Sequence, residues 1–201
     1  MDLADVLTRA MLSDWRYLVA ALGLLVALAA GAYLWWRRRR PGPMAALKSV
    51  AIASIHDVVL PDGMGGDIHV EYLVLTARGM LVIDVKRFEG IIFASDRMDD
   101  WTVIAKDGRY AFPNPQGTLY DRVAAVKRLV RDVPVTGFVL FAAGADFSKG
   151  RPKDVLLPGE LSEGYKKPER SEVERLTEAF SPHWERVREA ARPAREAAVS
   201  Q

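Results

Sequence analysis

EYLVLTARGMLVIDVKRFEG, Glu71 to Gly90, reads as two strands joined by a tight turn. Leu73, Val74 and Leu75 run into Thr76-Ala77-Arg78-Gly79, and Met80 to Ile83 run out. Aliphatic and β-branched density on both sides of a glycine-containing connection is a hairpin signal. The strands also carry charge in an unusual place. Glu71 opens the first, and Asp84-Val85-Lys86 closes the second.

Period-2 geometry puts Asp84 and Lys86 on one face of the second strand. A loop of Ala77-Arg78 pairs residues whose numbers sum to 155, so that Glu71 sits opposite Asp84. A loop of Arg78-Gly79 gives 157, and Glu71 then faces Lys86. Both registers gather the three charges on one face, and a three-residue loop would not. Two like charges across a strand pair repel. Lys86 or a bound divalent cation would offset them. Carboxylate oxygens suit Mg²⁺, with Mn²⁺ as an alternative, and a nearby lysine can serve the attacking water or the phosphate. The plainer reading is a hairpin whose ends form a surface salt bridge.

An acid, a hydrophobic strand, a Gly turn, a strand ending in acid-x-Lys, then a Gly-hydrophobic pair and a Trp occur here as Glu71, Gly79, Asp84-Val85-Lys86, Gly90-Ile91-Ile92 and Trp101. Asn114-Pro115-Gln116 follows. This order resembles the nuclease-related domain (NERD) family, which belongs with the PD-(D/E)XK restriction-endonuclease-like fold. The resemblance covers roughly Ala45 to Leu157. It implies catalytic roles for Glu71, Asp84 and Lys86. It also implies a metal held by Glu71, Asp84 and the Val85 carbonyl, and a Gln116 that orients water or phosphate.

Two departures stand out. The family usually has Asp then Glu at the two acids, the reverse of Glu71 and Asp84. Each carboxylate is thereby moved by one methylene, about 1.5 Å. The family's first helix usually carries a Glu, and Pro43 to His56 contains none. Asp67 or Asp57 could supply the ligand. Asp67, four residues before Glu71, is also a rival for the first acid. His69 lies on the same strand face as Glu71 and is read as a hydrogen-bonded strand histidine, with a proton carrier at the site as the alternative.

The rest of the chain frames this hairpin. Its 201 residues suit one domain with appendages, and half are hydrophobic. Net charge is +2, so no global charge argues for nucleic acid. The absence of cysteine excludes disulfides and thiolate metal sites. Residues 1–16 are a mixed segment without an assigned role. Residues 17–36 contain no charge, enough for a membrane-spanning helix with Tyr17 at one interface and Tyr33, Trp35 and Trp36 at the other. Arg37 to Arg40 follow directly, which places the N-terminus outside and the C-terminal domain in the cytoplasm. A cleaved signal peptide fits poorly, because the run is long and the arginines come straight after it.

Residues 37–43 form a basic Pro-Gly linker, 44–160 the nuclease-related domain, and 161–201 a charged helical tail. Within the domain, the pattern predicts a helix over Met44–His56, a strand at Val58–Leu60 and a third strand at Ile91–Ala94. It further predicts a second hairpin, Trp101–Ile104 with Arg109–Phe112, and a helix from Gln116 to about Asp132. A buried strand at Val135–Phe141 completes the core. Trp101 is read as core, with base stacking as the alternative. Arg122, Lys127, Arg128 and Arg131 are read as a solvated helix face, with phosphate contact as the alternative. In the tail, Ser171-x-x-Glu174 signals a capping box, Ser181-Pro182 a break, and Pro193 a second interruption.

The expected fold is α/β: an N-terminal transmembrane helix, then a restriction-endonuclease-like domain with a mixed sheet flanked by helices. The sheet would combine the central hairpin, the third strand and the Val135 strand. The expected function is a membrane-anchored, metal-dependent hydrolase of nucleic-acid phosphodiesters. The competing expectation is a catalytically inactive nuclease-fold module that binds nucleic acid or a protein partner at the membrane.

Overall fold

The computed structural model describes residues 15, 17–32, 42–142 and 144–194. The chain divides into two units after Arg40. In the first, residues 17–32 are helical (α1), and Leu18, Leu22 and Leu25 are exposed. Among the described residues no helix is long and apolar enough to cross a membrane. The predicted span is therefore not established by the fold. Residues 1–14, the rest of the predicted span at 33–36, and Arg37 to Arg40 lie outside the described residues.

The second unit is α/β. Its larger sheet has the order β10-β1-β2-β3-β7-β9. The strands are β1 (Ala53–Pro61), β2 (Asp67–Thr76), β3 (Gly79–Lys86), β7 (Val135–Phe141), β9 (Val155–Leu156) and β10 (Arg192–Pro193). β10, β1, β2 and β3 pair antiparallel, and β3, β7 and β9 pair parallel. A second sheet has the order β6-β5-β4-β8. Its strands are β4 (Gly90–Phe93), β5 (Asp100–Ala105), β6 (Gly108–Pro113) and β8 (Ala145–Asp146). The predicted third strand and second hairpin thus form, but in a sheet of their own. Gly90, at φ +120, turns the chain out of β3, and Gly90 N–H donates to Gly144 O at 3.1 Å.

The larger sheet buries both faces. One packs against α2 (Pro43–Val50) and α4 (Pro158–Gly164), with Leu47, Val74, Leu81, Ile83 and Leu161 in a dry cluster. The other packs against the second sheet, α3 (Gln116–Leu129) and α5 (Arg170–Ala190), around Leu73, Val82, Trp101, Leu119 and Phe141. Gly137 on β7 brings α3 close. A Cβ there would lie 2.6 Å from Val123 Cγ2 and 3.0 Å from Leu119 Cγ.

Two expectations about helices are corrected. The first helix stops at Val50 rather than His56, and Ala53 to His56 are strand. Ala51 turns extended, Ile52 N–H donates to Leu75 O at 2.8 Å, and β1 then pairs along β2 from Ala53↔Leu75 onward. Sheet pairing overrides a helical pattern in a segment with two isoleucines and a serine. The tail is also not broken at Pro182. α5 runs through it as one helix, with Glu169 rather than Ser171 at the N-cap position and no side-chain capping bond. An internal proline costs about 3 kcal/mol. Trp184 and Val187, just beyond it, are buried in the main core and offset that cost. Pro193 ends the chain's excursion by pairing as β10 with Val58.

Candidate active site

The hairpin forms with the two-residue loop Ala77-Arg78. Thr76↔Gly79 through Tyr72↔Ile83 all sum to 155. Continued by one residue, the same register would set Glu71 opposite Asp84. Backbone pairing between the strands ends at Tyr72↔Ile83. Beyond it Val85 N–H, left without a strand partner, donates to Glu71 Oε2 at 2.8 Å. A strand residue's N–H and C=O point to the same neighbouring strand. The Val85 carbonyl therefore faces Glu71 rather than β7.

Alternation along β3 decides which face carries the charge. Met80 and Val82 join the core beneath α3, while Leu81, Ile83 and Val85 join the α2–α4 cluster. Asp84 follows Val82 by two residues and is only 1% exposed. Arg122 Nη1 donates to Asp84 Oδ2 and Arg122 Nε to His69 O at 2.6 Å, so that one guanidinium bridges the two strands. Asp84 Oδ1 is buried with no hydrogen-bond partner among the described residues. Burial pushes the Asp84 carboxyl above its ordinary 3.8, and the positive charges of Arg122 and Lys86 oppose that only in part.

Arg122 is the residue that the sequence reading placed on a solvated face. The signal for its true position was there. Leu119, Arg122 and Val126 fall at i, i+3 and i+7, one face of a helix, and both leucine and valine are buried.

A cleft of about 310 Å³ opens over Asp84, lined by Lys86, Phe88, Phe112, Pro113, Asn114, Pro115, Thr118 and Arg122. Among the described residues Lys86 has no ion-pair partner. Trp101 is fully buried and donates its indole N–H to Ser95 O at 3.1 Å, so the core reading holds and its ring is not free to stack a base.

The accessory residues do not converge. His69 hydrogen-bonds the exposed Asp57 at 2.8 Å and meets Arg122 through its carbonyl. Asp67 sits at the far end of β2, gripped by Arg192 Nη2 at 2.6 Å from each carboxylate oxygen. Gln116 is buried and ties two loops together, donating to Asp96 Oδ1 at 2.7 Å and Lys153 O at 2.9 Å. It does not line the cleft over Asp84.

Among the described residues no group of three or more His, Cys, Asp and Glu side chains comes together as a metal site. The donors at the open end of the hairpin nevertheless fit Mg²⁺, which takes one or two carboxylates and completes its shell with water. Asp84 has a buried oxygen to spare, and Glu71 and the Val85 carbonyl face the same gap between strands.

The family model of the nuclease-related domain, NERD, matches residues 45–142. These residues contain the hairpin, the second sheet's β4–β6, α3 and β7. No curated protein and no solved structure matches the chain.

Proposed function

We propose that this chain is a membrane-anchored protein whose nuclease-related domain, of PD-(D/E)XK type, hydrolyses phosphodiester bonds in nucleic acid. The observation that carries this reading is Asp84: buried at the floor of a cleft also lined by Lys86, with one carboxylate oxygen that has no hydrogen-bond partner among the described residues. Glu71, Asp84 and the Val85 carbonyl would hold Mg²⁺ or Mn²⁺. The bound ion would supply an activated water and charge neutralisation at the phosphate. Lys86 would hold the attacking water or a phosphate oxygen. Arg122, already beside the acid, would share the phosphate's charge. His69, through its carbonyl, positions Arg122 and is not a proton carrier in this scheme.

The uncharged run from Tyr17 to Trp36, followed by Arg37 to Arg40, supports anchoring by one helix with the domain in the cytoplasm.

A non-catalytic module that binds nucleic acid or a protein at the membrane is the second reading. One observation favours it: Arg122 occupies Asp84 Oδ2 and Val85 N–H occupies Glu71 Oε2, so both acids already have partners. The full chain in detergent, wild type and Asp84→Ala, separates the two readings. Calorimetric titration with Mg²⁺ or Mn²⁺ would be followed by incubation with single- and double-stranded DNA and RNA. Metal binding and cleavage lost together in Asp84→Ala support the nuclease. Wild-type protein that neither binds metal nor cuts supports the module.

A further inference from the structure

The cleft over Asp84 has an aromatic wall. Phe88 lies two residues beyond the end of β3, and Phe112 is the penultimate residue of β6. Their ring centroids are 4.7 Å apart with planes tilted by 31°. Both are only partly buried. Trp101, the cross-strand partner of Phe112 on β5, meets it edge-on at 6.0 Å. Lys86 and Arg122 line the same cleft. The cleft therefore offers both π-surface and cationic donors.

We propose that this cleft takes one unpaired nucleotide of a single strand, its base against Phe88 and Phe112 and its phosphate toward Lys86 and Arg122. The inference rests on the nucleic-acid reading above and specifies its substrate class. Three observations lead to it. A volume of about 310 Å³ is small for a binding pocket. A base that is paired and stacked within a duplex cannot present its face to a side chain without leaving the stack. Aromatic rings beside a positive track are how single strands are held, and every base has a face to stack. The one amide in the wall is engaged. Asn114 Nδ2 donates to Met98 O at 3.0 Å, and its Oδ1 accepts from Gln116 N–H at 3.0 Å. The wall therefore favours stacking over reading of base edges, and binding depends weakly on sequence.

The test measures binding in excess chelator, so that cleavage does not enter. Full-length protein in detergent micelles is titrated into labelled oligothymidylate, oligouridylate, an abasic strand of the same length, and a blunt duplex, read by fluorescence anisotropy. The base-bearing strands should bind roughly ten- to a hundredfold tighter than the abasic strand. Phe88→Leu and Phe112→Leu should each remove most of that difference and leave abasic binding unchanged. The abasic comparison needs no variant and stands even where Phe112→Leu fails to fold. Equal binding of abasic and base-bearing strands, a duplex bound as tightly as a single strand, or unaltered leucine variants would overturn the proposal. Stacking-dependent binding with no cleavage on adding Mg²⁺ would uphold it while removing the hydrolytic reading. Cleavage without base-dependent binding would do the reverse, and no binding of any strand together with no cleavage on adding Mg²⁺ would remove both.

Discussion

The two ends of the β2–β3 hairpin share the same strands and the same alternation, and they are finished differently. At the turn end, Thr76 Oγ1 donates to Gly79 O at 2.9 Å and Arg78 N–H donates to Thr76 Oγ1 at 3.2 Å. Met80 N–H donates to Pro134 O at 2.8 Å. Backbone and side chain close on each other there. At the open end the strands stop pairing, a side chain takes over one backbone donor, and Asp84 Oδ1 has no partner among the described residues. A hairpin can carry stability at one end because its groups are satisfied. It can carry chemistry at the other because some are not.

The largest expected effect is at the turn. Gly79 has φ +115, and a Cβ on it would lie 2.3 Å from Pro134 O. Gly79→Val combines a strained backbone with a clash against backbone, and it should lower stability by about 3 kcal/mol or more. The denaturant midpoint reads this. A variant as stable as wild type would mean that the turn end is not closed as described.

A smaller effect separates structure from chemistry at the open end. Glu71→Ala leaves Val85 N–H without its acceptor and should cost about 1–2 kcal/mol. Glu71→Gln keeps an acceptor oxygen and should stay within about 0.5 kcal/mol of wild type. If Glu71 also holds a metal, the Gln variant should lose metal affinity at nearly unchanged stability. Calorimetry on that variant with wild-type affinity would reduce Glu71 to a backbone cap.

The smallest effect is one of sign. Burial raises the Asp84 carboxyl above 3.8, so its contribution to stability is complete below that pH and is lost as pH rises through the raised value. Asp84→Asn cannot ionise. Its stability relative to wild type should therefore increase with pH, so that at neutral pH it is the more stable protein. Thermal melts across pH 3 to 8 would show the two curves converging at the acid end. A wild type that gains on the variant as pH rises would mean that Arg122 outweighs burial.

Much of this arrangement was readable along the chain. The hairpin, the gathering of Asp84 and Lys86 on one face, the second hairpin and the helix after Asn114 all follow from period-2 and period-3.6 patterning with glycine at the turns. These are local rules, set by neighbouring residues on one strand or helix. The choice between the two loop registers was also confined to two answers by the same rule.

What the tertiary structure alone decided is long-range. Arg122 reaches Asp84 across 38 residues, and Arg192 removes Asp67 from the site across 125. Trp184 and Val187 carry a helix through Pro182 by burial in a core whose other walls are strands far earlier in the chain. Burial raises the Asp84 carboxyl, and the chain segment that brings Arg122 against it lies 38 residues away. Local sequence fixes which way a side chain points from its strand. What it meets there, and how dry that place is, depend on segments that only packing brings near.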